Sequence, residues 1–116
     1  MATRWLSGRK VNTVIASDIV LVGSEMFNIH PDVIYGDNRT AFICRARFGL
    51  YMALHLRGAS KSQIGRIMRR DHSTVIHGIT RAETMMEEDA SFKRVVNELA
   101  TMCVDLGYGE KEPAND

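Results

Sequence analysis

Apolar residues recur at helical spacing along this chain of 116 residues, and no window alternates with the two-residue period of a half-buried strand. The clearest case follows Asp71, where Val75, Ile79, Ala82 and Met86 succeed one another at steps of four, three and four. Side chains at these steps lie on one face of a helix. The pattern therefore predicts an all-α fold with five or six helices.

The same spacing, with capping and turn residues between the apolar stretches, predicts the boundaries of the helices. We expect one domain over residues 11–106, preceded by a flexible segment over 1–10 and followed by a flexible acidic tail over 107–116. The expected helices cover residues 11–28, 32–35, 40–56, 60–68, 71–88 and 91–106.

Charges are distributed unevenly along the chain. From Arg39 to Ala82 there are nine Lys or Arg and a single acid, Asp71, whereas the rest of the chain holds six basic and thirteen acidic residues. A formal net charge of +1 therefore conceals a central segment of +8 and flanks of −7. A one-sided charge of this size favours a polyanion as the binding partner.

Residues 60–88 have the proportions of a helix-turn-helix. A short helix is followed by a turn at Arg69 and Arg70 and then by a longer helix that Asp71 can cap. In this motif the second helix lies in the major groove of DNA, with its first residues at the base edges. The two arginines would then lie beside the DNA backbone, where each neutralised phosphate steepens the salt dependence of binding.

The first turn of the second helix has suitable chemistry for reading bases. His72, Ser73 and Thr74 are short polar side chains, and Asp71 is able to accept a hydrogen bond from a cytosine amine. The N–H groups and the positive dipole end of a helix start also favour phosphate. The sequence therefore predicts that this turn faces DNA.

Three segments together resemble one known family. Residues 70–77 read Arg-Asp-His-Ser-Thr-Val-Ile-His, which is similar to the Arg-Asp-His-Thr-Thr-Val signature, followed by an apolar residue and His, in the C-terminal DNA-binding domain of the bacterial replication initiator DnaA. Residues 45–47 resemble the Arg-Pro-Arg helix of that family, and residues 60–65 resemble its Ser-Leu-Pro-Glu-Ile-Gly segment. The resemblance covers about residues 12–106 and implies a helix-turn-helix fold of the kind also found in the Trp repressor.

The resemblance implies which residues read the DNA sequence. Asp71, His72 and Ser73 match the family positions that read bases in the major groove, and Arg39 matches an arginine that enters the minor groove. With the residues beside the backbone included, the expected DNA contacts are Arg39, Arg45, Arg47, Lys61, Ser62, Arg69, Arg70, Asp71, His72, Ser73 and Thr74.

For five of these residues the resemblance implies contacts with the DNA backbone or with a thymine methyl group. Lys61, Ser62 and Thr74 match family positions that touch the backbone or a thymine methyl group. Arg45 and Arg47 match positions near phosphate.

The chain also departs from the family pattern. Ser62 replaces a proline, Phe48 replaces a glutamine, and Met68-Arg69 replaces Gly-Gly in a turn that is one residue shorter. We therefore predict a target other than the standard initiator box. The 116 residues hold no Gly-rich phosphate loop and no room for an ATPase domain, so we expect a free-standing DNA reader that binds neither a nucleotide nor another cofactor.

Other interpretations of the same residues are weaker. Asp71 is able to act as an N-cap alone, although we expect it to cap and to read a base. Adjacent residues at a helix start point in different directions, so Asp71-His72-Ser73 cannot form a catalytic relay. His72 and His77 are five residues apart rather than four, which argues against a metal site. We expect His77 to be packed or bonded to the backbone, and we do not expect an enzyme.

The sequence favours a cytosolic protein, and the resemblance implies a bacterial cytoplasmic protein associated with the nucleoid. The two cysteines, Cys44 and Cys103, share no short motif and are expected to be reduced and buried. The longest apolar run, residues 19–23, is too short to cross a bilayer, and the start of the chain lacks a signal peptide.

Three functions are consistent with these features. The first is a transcription regulator of the phage or gene-transfer-element type, which binds double-stranded DNA and acts on RNA polymerase or another transcription or replication protein. The second is a replication accessory at origin-like sites. A third, from another class, is a helical adaptor whose basic face binds an acidic protein.

Overall fold

The computed structural model describes residues 18–103, which form six helices and no strand. The predicted all-α class is thereby confirmed. The two segments expected to be flexible, 1–10 and 107–116, lie outside the described residues. The helices are α1 (Ile19–Phe27), α2 (Pro31–Tyr35), α3 (Ala41–Leu56), α4 (Lys61–Met68), α5 (His72–Glu88) and α6 (Ala90–Met102).

Helix α3 is the centre of the domain, because it contacts each of the other five helices. Ile43, Ala46 and Leu50, which recur at helical spacing along α3, are buried. The burial also extends around the helix, since all residues from 49 to 54 are buried. Tyr51, on the side that faces α5, is among the largest fully buried side chains.

The connection between α1 and α2 ends one helix and starts the next. Asn28 adopts the left-handed conformation (φ 59°) that commonly closes a helix. The His30 Nδ1 atom accepts a hydrogen bond from the Asp32 N–H at 3.0 Å, and Pro31 occupies the first position of α2, where its missing N–H costs no helix bond. The short helix predicted over residues 32–35 is therefore present.

Helix α4 starts with a capping box. The Ser60 hydroxyl accepts from the Gln63 N–H, the Gln63 side chain accepts from the Ser60 N–H, and both distances are 3.1 Å. Two donors that the helix start leaves unpaired are satisfied in this way. Gly58, with a φ of 96°, lies in the turn after α3.

Helix α6 packs against α1, α3 and α5. Asp89 caps it by accepting from the Phe92 N–H at 3.1 Å, and the helix begins at Ala90, one residue before the predicted start. Phe92, Val96 and Leu99 are fully buried. Cys44 and Cys103 do not form a disulfide, and Cys103 is buried as predicted, whereas Cys44 is only half-buried.

Candidate nucleic-acid interface

The first turn of α5 faces solvent. His72, Ser73 and Thr74 are exposed, whereas the next residue, Val75, is fully buried. Asp71 precedes the helix in the extended conformation (φ −70°, ψ 157°), but none of the described N–H groups of α5 donates a capping bond to its exposed carboxylate. All four polar side chains are therefore accessible to a partner.

Two glycines allow α5 to lie close to its neighbours. The Arg70 N–H donates to the Gly65 carbonyl at 2.8 Å, and a Cβ added to Gly65 would lie 2.6 Å from the Arg70 carbonyl oxygen. Gly78 of α5 faces the ring of Tyr51 so closely that a Cβ there would overlap the ring. These contacts hold α5 against α4 and α3 and thereby position its first turn.

Arg69 forms the turn between α4 and α5. It adopts the left-handed conformation with a φ of 60°, which costs a non-glycine residue about 1 kcal/mol. Its guanidinium carbon lies 4.0 Å from the centroid of the Tyr35 ring, and this stacking offsets part of the cost. The side chain remains exposed two residues before Asp71, at the surface where the sequence predicted it.

Arg70 turns away from that surface. Its guanidinium donates to the carbonyl oxygens of Tyr35 and Ile34, each at 3.1 Å, and to the carbonyl of Gly36. All three acceptors belong to the end of α2 and the residue after it. The structure therefore places the Arg70 charge against the protein backbone instead of beside the exposed first turn.

Arg47 lies in the interior, with only 5% of the residue exposed. Burial lowers the pKa of Arg47, and the nearby charge of Arg70 lowers it further. The guanidinium of Arg47 donates to four backbone carbonyls, those of Val33, Ile34, Gly36 and Asn38. Arg47 is therefore not at the protein surface, and the phosphate contact expected of it does not agree with this placement.

Arg45 is engaged at the opposite end of α5. Its Nη2 atom lies 3.1 Å from a carboxylate oxygen of Asp89, and its guanidinium lies over the rings of Phe92 and Phe27. The Phe92 N–H, and next the Arg45 side chain, hold the pKa of Asp89 below its usual value. Because a helix of 17 residues is about 26 Å long, Arg45 lies far from the first turn of α5.

Arg39 is exposed in the loop between α2 and α3, and the backbone on either side of it is tied down. The Thr40 N–H donates to the Asn38 Oδ1 atom at 2.9 Å, and the Asn38 carbonyl accepts from Arg47. These hydrogen bonds fix the backbone on both sides of Arg39, while its side chain remains exposed.

Lys61 and Ser62 occupy the first turn of α4. Lys61 is half-buried and Ser62 is exposed. Since α4 packs on α5, both residues belong to the first helix of the helix-turn-helix, which in this motif crosses the DNA backbone.

The sequence interpretation missed Ile76. It is 40% exposed and lies three and four residues after Ser73 and His72, which places it on the same face of α5. The helical period that marked Val75 and Ile79 as core already indicated this, since a residue between them points outward. His77 was expected to be packed or bonded to the backbone; it is exposed, so the first of these two expectations is wrong.

Metal sites and membrane spans each require a particular arrangement of residues. Over residues 18–103, no group of three or more His, Cys, Asp or Glu side chains is arranged to hold a metal ion. None of the six helices is long and apolar enough to span a membrane.

The family described as bacterial dnaA protein helix-turn-helix matches residues 16–82, which is more than half of the chain. This chain belongs to that DnaA family. The match includes every residue expected to contact DNA and ends inside α5, so α6 completes the fold beyond the matched range. The predicted resemblance to the DnaA DNA-binding helix-turn-helix domain is confirmed.

Several similar proteins are named chromosomal replication initiator protein DnaA. The one from Lachnoclostridium phytofermentans is 37% identical over 89 residues, which cover 75% of this chain and 20% of that protein. The one from Aliarcobacter butzleri is 29% identical over 90 residues, 76% of this chain and 20% of that protein. The chain thus spans about one fifth of the length of these relatives. No solved structure gives a significant match.

The five arginines that were expected to contact DNA fall into two groups. Arg39 and Arg69 are exposed near the helix-turn-helix, whereas Arg45, Arg47 and Arg70 are bound by other groups of the protein. The structure therefore leaves the side chains of Arg39 and Arg69 at the surface, and it engages the other three arginines in contacts within the protein.

Proposed function

We propose that this chain binds double-stranded DNA at a specific sequence, with the first turn of α5 in the major groove. The observation that carries the proposal is the change from exposed His72 and Ser73 to fully buried Val75. A helix start that offers polar side chains outward while its next residue anchors it in the core suits base reading. Membership of the DnaA helix-turn-helix family supports the same function.

Each residue of the proposed DNA surface has a proposed role. Base reading is assigned to Asp71, His72 and Ser73, because a carboxylate, an imidazole and a hydroxyl distinguish base edges through hydrogen bonds. Arg39 is assigned to the minor groove. Contacts to the DNA backbone are assigned to Lys61, Ser62, Arg69 and Thr74.

Ile76 extends the proposed reading face by one helical turn. Its exposed side chain suits the methyl group of a thymine. With the native protein, replacing the contacted thymine by uracil, which lacks the methyl group, should weaken binding. With the Ile76→Ala variant, the same replacement should have no effect. If uracil weakens the binding of both proteins equally at every position, Ile76 has no such contact.

Two biological roles remain open for a DNA reader of this family. One is regulation of transcription, with RNA polymerase or another transcription protein as the second partner. The other is replication, and the name chromosomal replication initiator protein DnaA, shared by the relatives, favours it. Mapping the bound sites in cells separates the two, since the first role requires promoter sites and the second requires origin sites.

Selection from a pool of random duplexes tests the binding function itself. The purified chain should enrich one motif, and a duplex carrying that motif should bind roughly a thousandfold or more tighter than a scrambled duplex at the same salt concentration. Weak binding that ignores sequence would contradict the proposal. That outcome, together with tight binding to an acidic protein, would favour the adaptor function.

A further inference from the structure

Two arginines converge on the end of α2. Arg47 and Arg70, here called the arginine clasp, come from α3 and from the turn before α5. Both donate to the carbonyls of Ile34 and Gly36. Arg47 alone also reaches Val33 and Asn38, and Arg70 alone reaches Tyr35.

The clasp satisfies groups that α2 leaves unpaired. The last carbonyls of any helix lack partners within the helix, and cations near that end are favoured. Holding two guanidinium groups side by side is unfavourable, because each charge repels the other. The arrangement is maintained by seven hydrogen bonds from the two guanidinium groups to the carbonyl oxygens of residues 33–38.

The clasp also connects the two parts of the proposed DNA surface. Arg70 directly precedes Asp71 in the chain and binds Gly36 across a sequence separation of 34 residues. Arg39 follows Gly36 by three residues, so their Cα atoms are at most about 11 Å apart. Arg47 holds the carbonyl of Asn38, the residue just before Arg39.

We propose that Arg70 is a positioning residue that fixes the Arg39 loop relative to the first turn of α5. This inference rests on the proposed DNA-binding function and refines it. Arg70 contributes to binding through Arg39 and makes no phosphate contact of its own. The clasp thereby sets the separation between the base pairs read in the major groove and those read in the neighbouring minor groove.

A double-mutant cycle on the selected duplex tests this inference. Arg39→Ala and Arg70→Ala should each weaken binding by roughly tenfold, the size of one good side-chain contact to a base. The double variant should bind within about twofold of Arg39→Ala, because coupled residues are not additive. The salt slope of the double variant should also equal that of Arg39→Ala. Arg94→Ala, which removes an exposed charge on α6, should leave affinity unchanged.

The selected motifs provide a second readout. Arg70→Ala should lose the preference at the base pairs that Arg39→Ala also affects, while it keeps the preference at the pairs affected by His72→Ala. If Arg70 only stabilised the fold, Arg70→Ala would weaken the base preference at all positions of the motif together, and that result would overturn the inference. Reductions in affinity that multiply in the double variant would also overturn it, because they indicate an independent contact.

Arg70→Lys serves as a charge-retaining variant, and it remains informative if Arg70→Ala does not fold. Lysine keeps the positive charge but lacks the planar fork that reaches several carbonyls. The inference predicts that Arg70→Lys binds as weakly as Arg39→Ala. Recovery of native affinity would show that charge alone matters, as at a phosphate contact. If selection from random duplexes with the native protein yields no motif, the proposed function itself is wrong.

Discussion

His72 and Ser73 are adjacent residues whose side chains carry the proposed base reading. Replacing either by alanine should reduce discrimination between the selected and scrambled duplexes by about 1–3 kcal/mol, the usual worth of a well-placed hydrogen-bonded pair with a base. Discrimination is obtained from competition binding at one salt concentration. Thr84→Ala, on the exposed part of α5 and away from the first turn, is the matched control and should have no effect. Unchanged discrimination in the His72→Ala, Ser73→Ala double variant would remove both from the reading face.

The arginines show what sequence alone was unable to predict at this scale. A count of charges treats Arg39, Arg47 and Arg70 as equivalent. The guanidinium groups of Arg47 and Arg70 instead donate to carbonyls of residues 33–38. These carbonyls come within reach of the two arginines only in the folded domain. Backbone acceptors leave no trace in the pattern of side chains. The exposed set at Asp71, His72 and Ser73 was predictable, because it depends on local sequence around one helix start.

The tight turn between α4 and α5 depends on Gly65. A methyl group there meets the Arg70 carbonyl, which belongs to the backbone and cannot move aside freely. Gly65→Ala should therefore destabilise the domain by about 1–3 kcal/mol, the usual range for overpacking. Denaturant unfolding measures the change. Arg66→Ala, which removes an exposed side chain from the same helix, should stay within about 0.5 kcal/mol of the native protein. Equal stability of the Gly65→Ala and native proteins would mean that the turn relaxes without cost.

The start of α6 is sensitive to acid. The pKa of Asp89 is lowered from its usual 3.8 by the Phe92 N–H and by Arg45, so the carboxylate stabilises the fold above about pH 4. This contribution is lost as the pH falls below 3.8 and through the lowered pKa of the folded state. Asp89→Asn keeps the capping oxygen and removes the titration.

Unfolding free energies measured between pH 5 and about pH 2 check this prediction for Asp89. The variant Asp89→Asn should lose less stability on acidification than the native protein does. Asp37→Asn, at an exposed loop position, should behave like the native protein. Identical acid profiles for the native and Asp89→Asn proteins would contradict the role assigned to Asp89.

Helix positions were largely predictable, because apolar spacing and capping residues are local signals. The starts of α3 at residue 41 and α4 at residue 61 lie one residue after the predicted starts at residues 40 and 60. The burial of α3 around its whole circumference was not predictable, since it depends on α1, α5 and α6 packing on three sides. The side chain of Asp71 also lacks the expected capping bond to the described part of α5, although the residue stands at the predicted position.

On the scale of the whole molecule, the charge asymmetry predicts strongly salt-dependent binding. Each neutralised phosphate should add about 0.9 to the steepness of log K against log salt concentration. Lys61→Ala and Arg69→Ala should each flatten that slope by about one unit. The control Arg94→Ala should leave it unchanged, because α6 lies outside the proposed surface. A change of slope in the Arg94→Ala variant equal to that of Arg69→Ala would indicate that the charge acts without a defined docking face.

The most direct test of the account is a nuclear magnetic resonance titration of the protein with its selected duplex. We predict that the amide signals with the largest shifts are those of Asp71 to Thr74, with a second group at Asn38 to Thr40. A scrambled duplex should not produce the same pattern. Shifts confined to α6 and the adjoining end of α5, with the first turn of α5 unaffected, would contradict the placement of that turn against DNA.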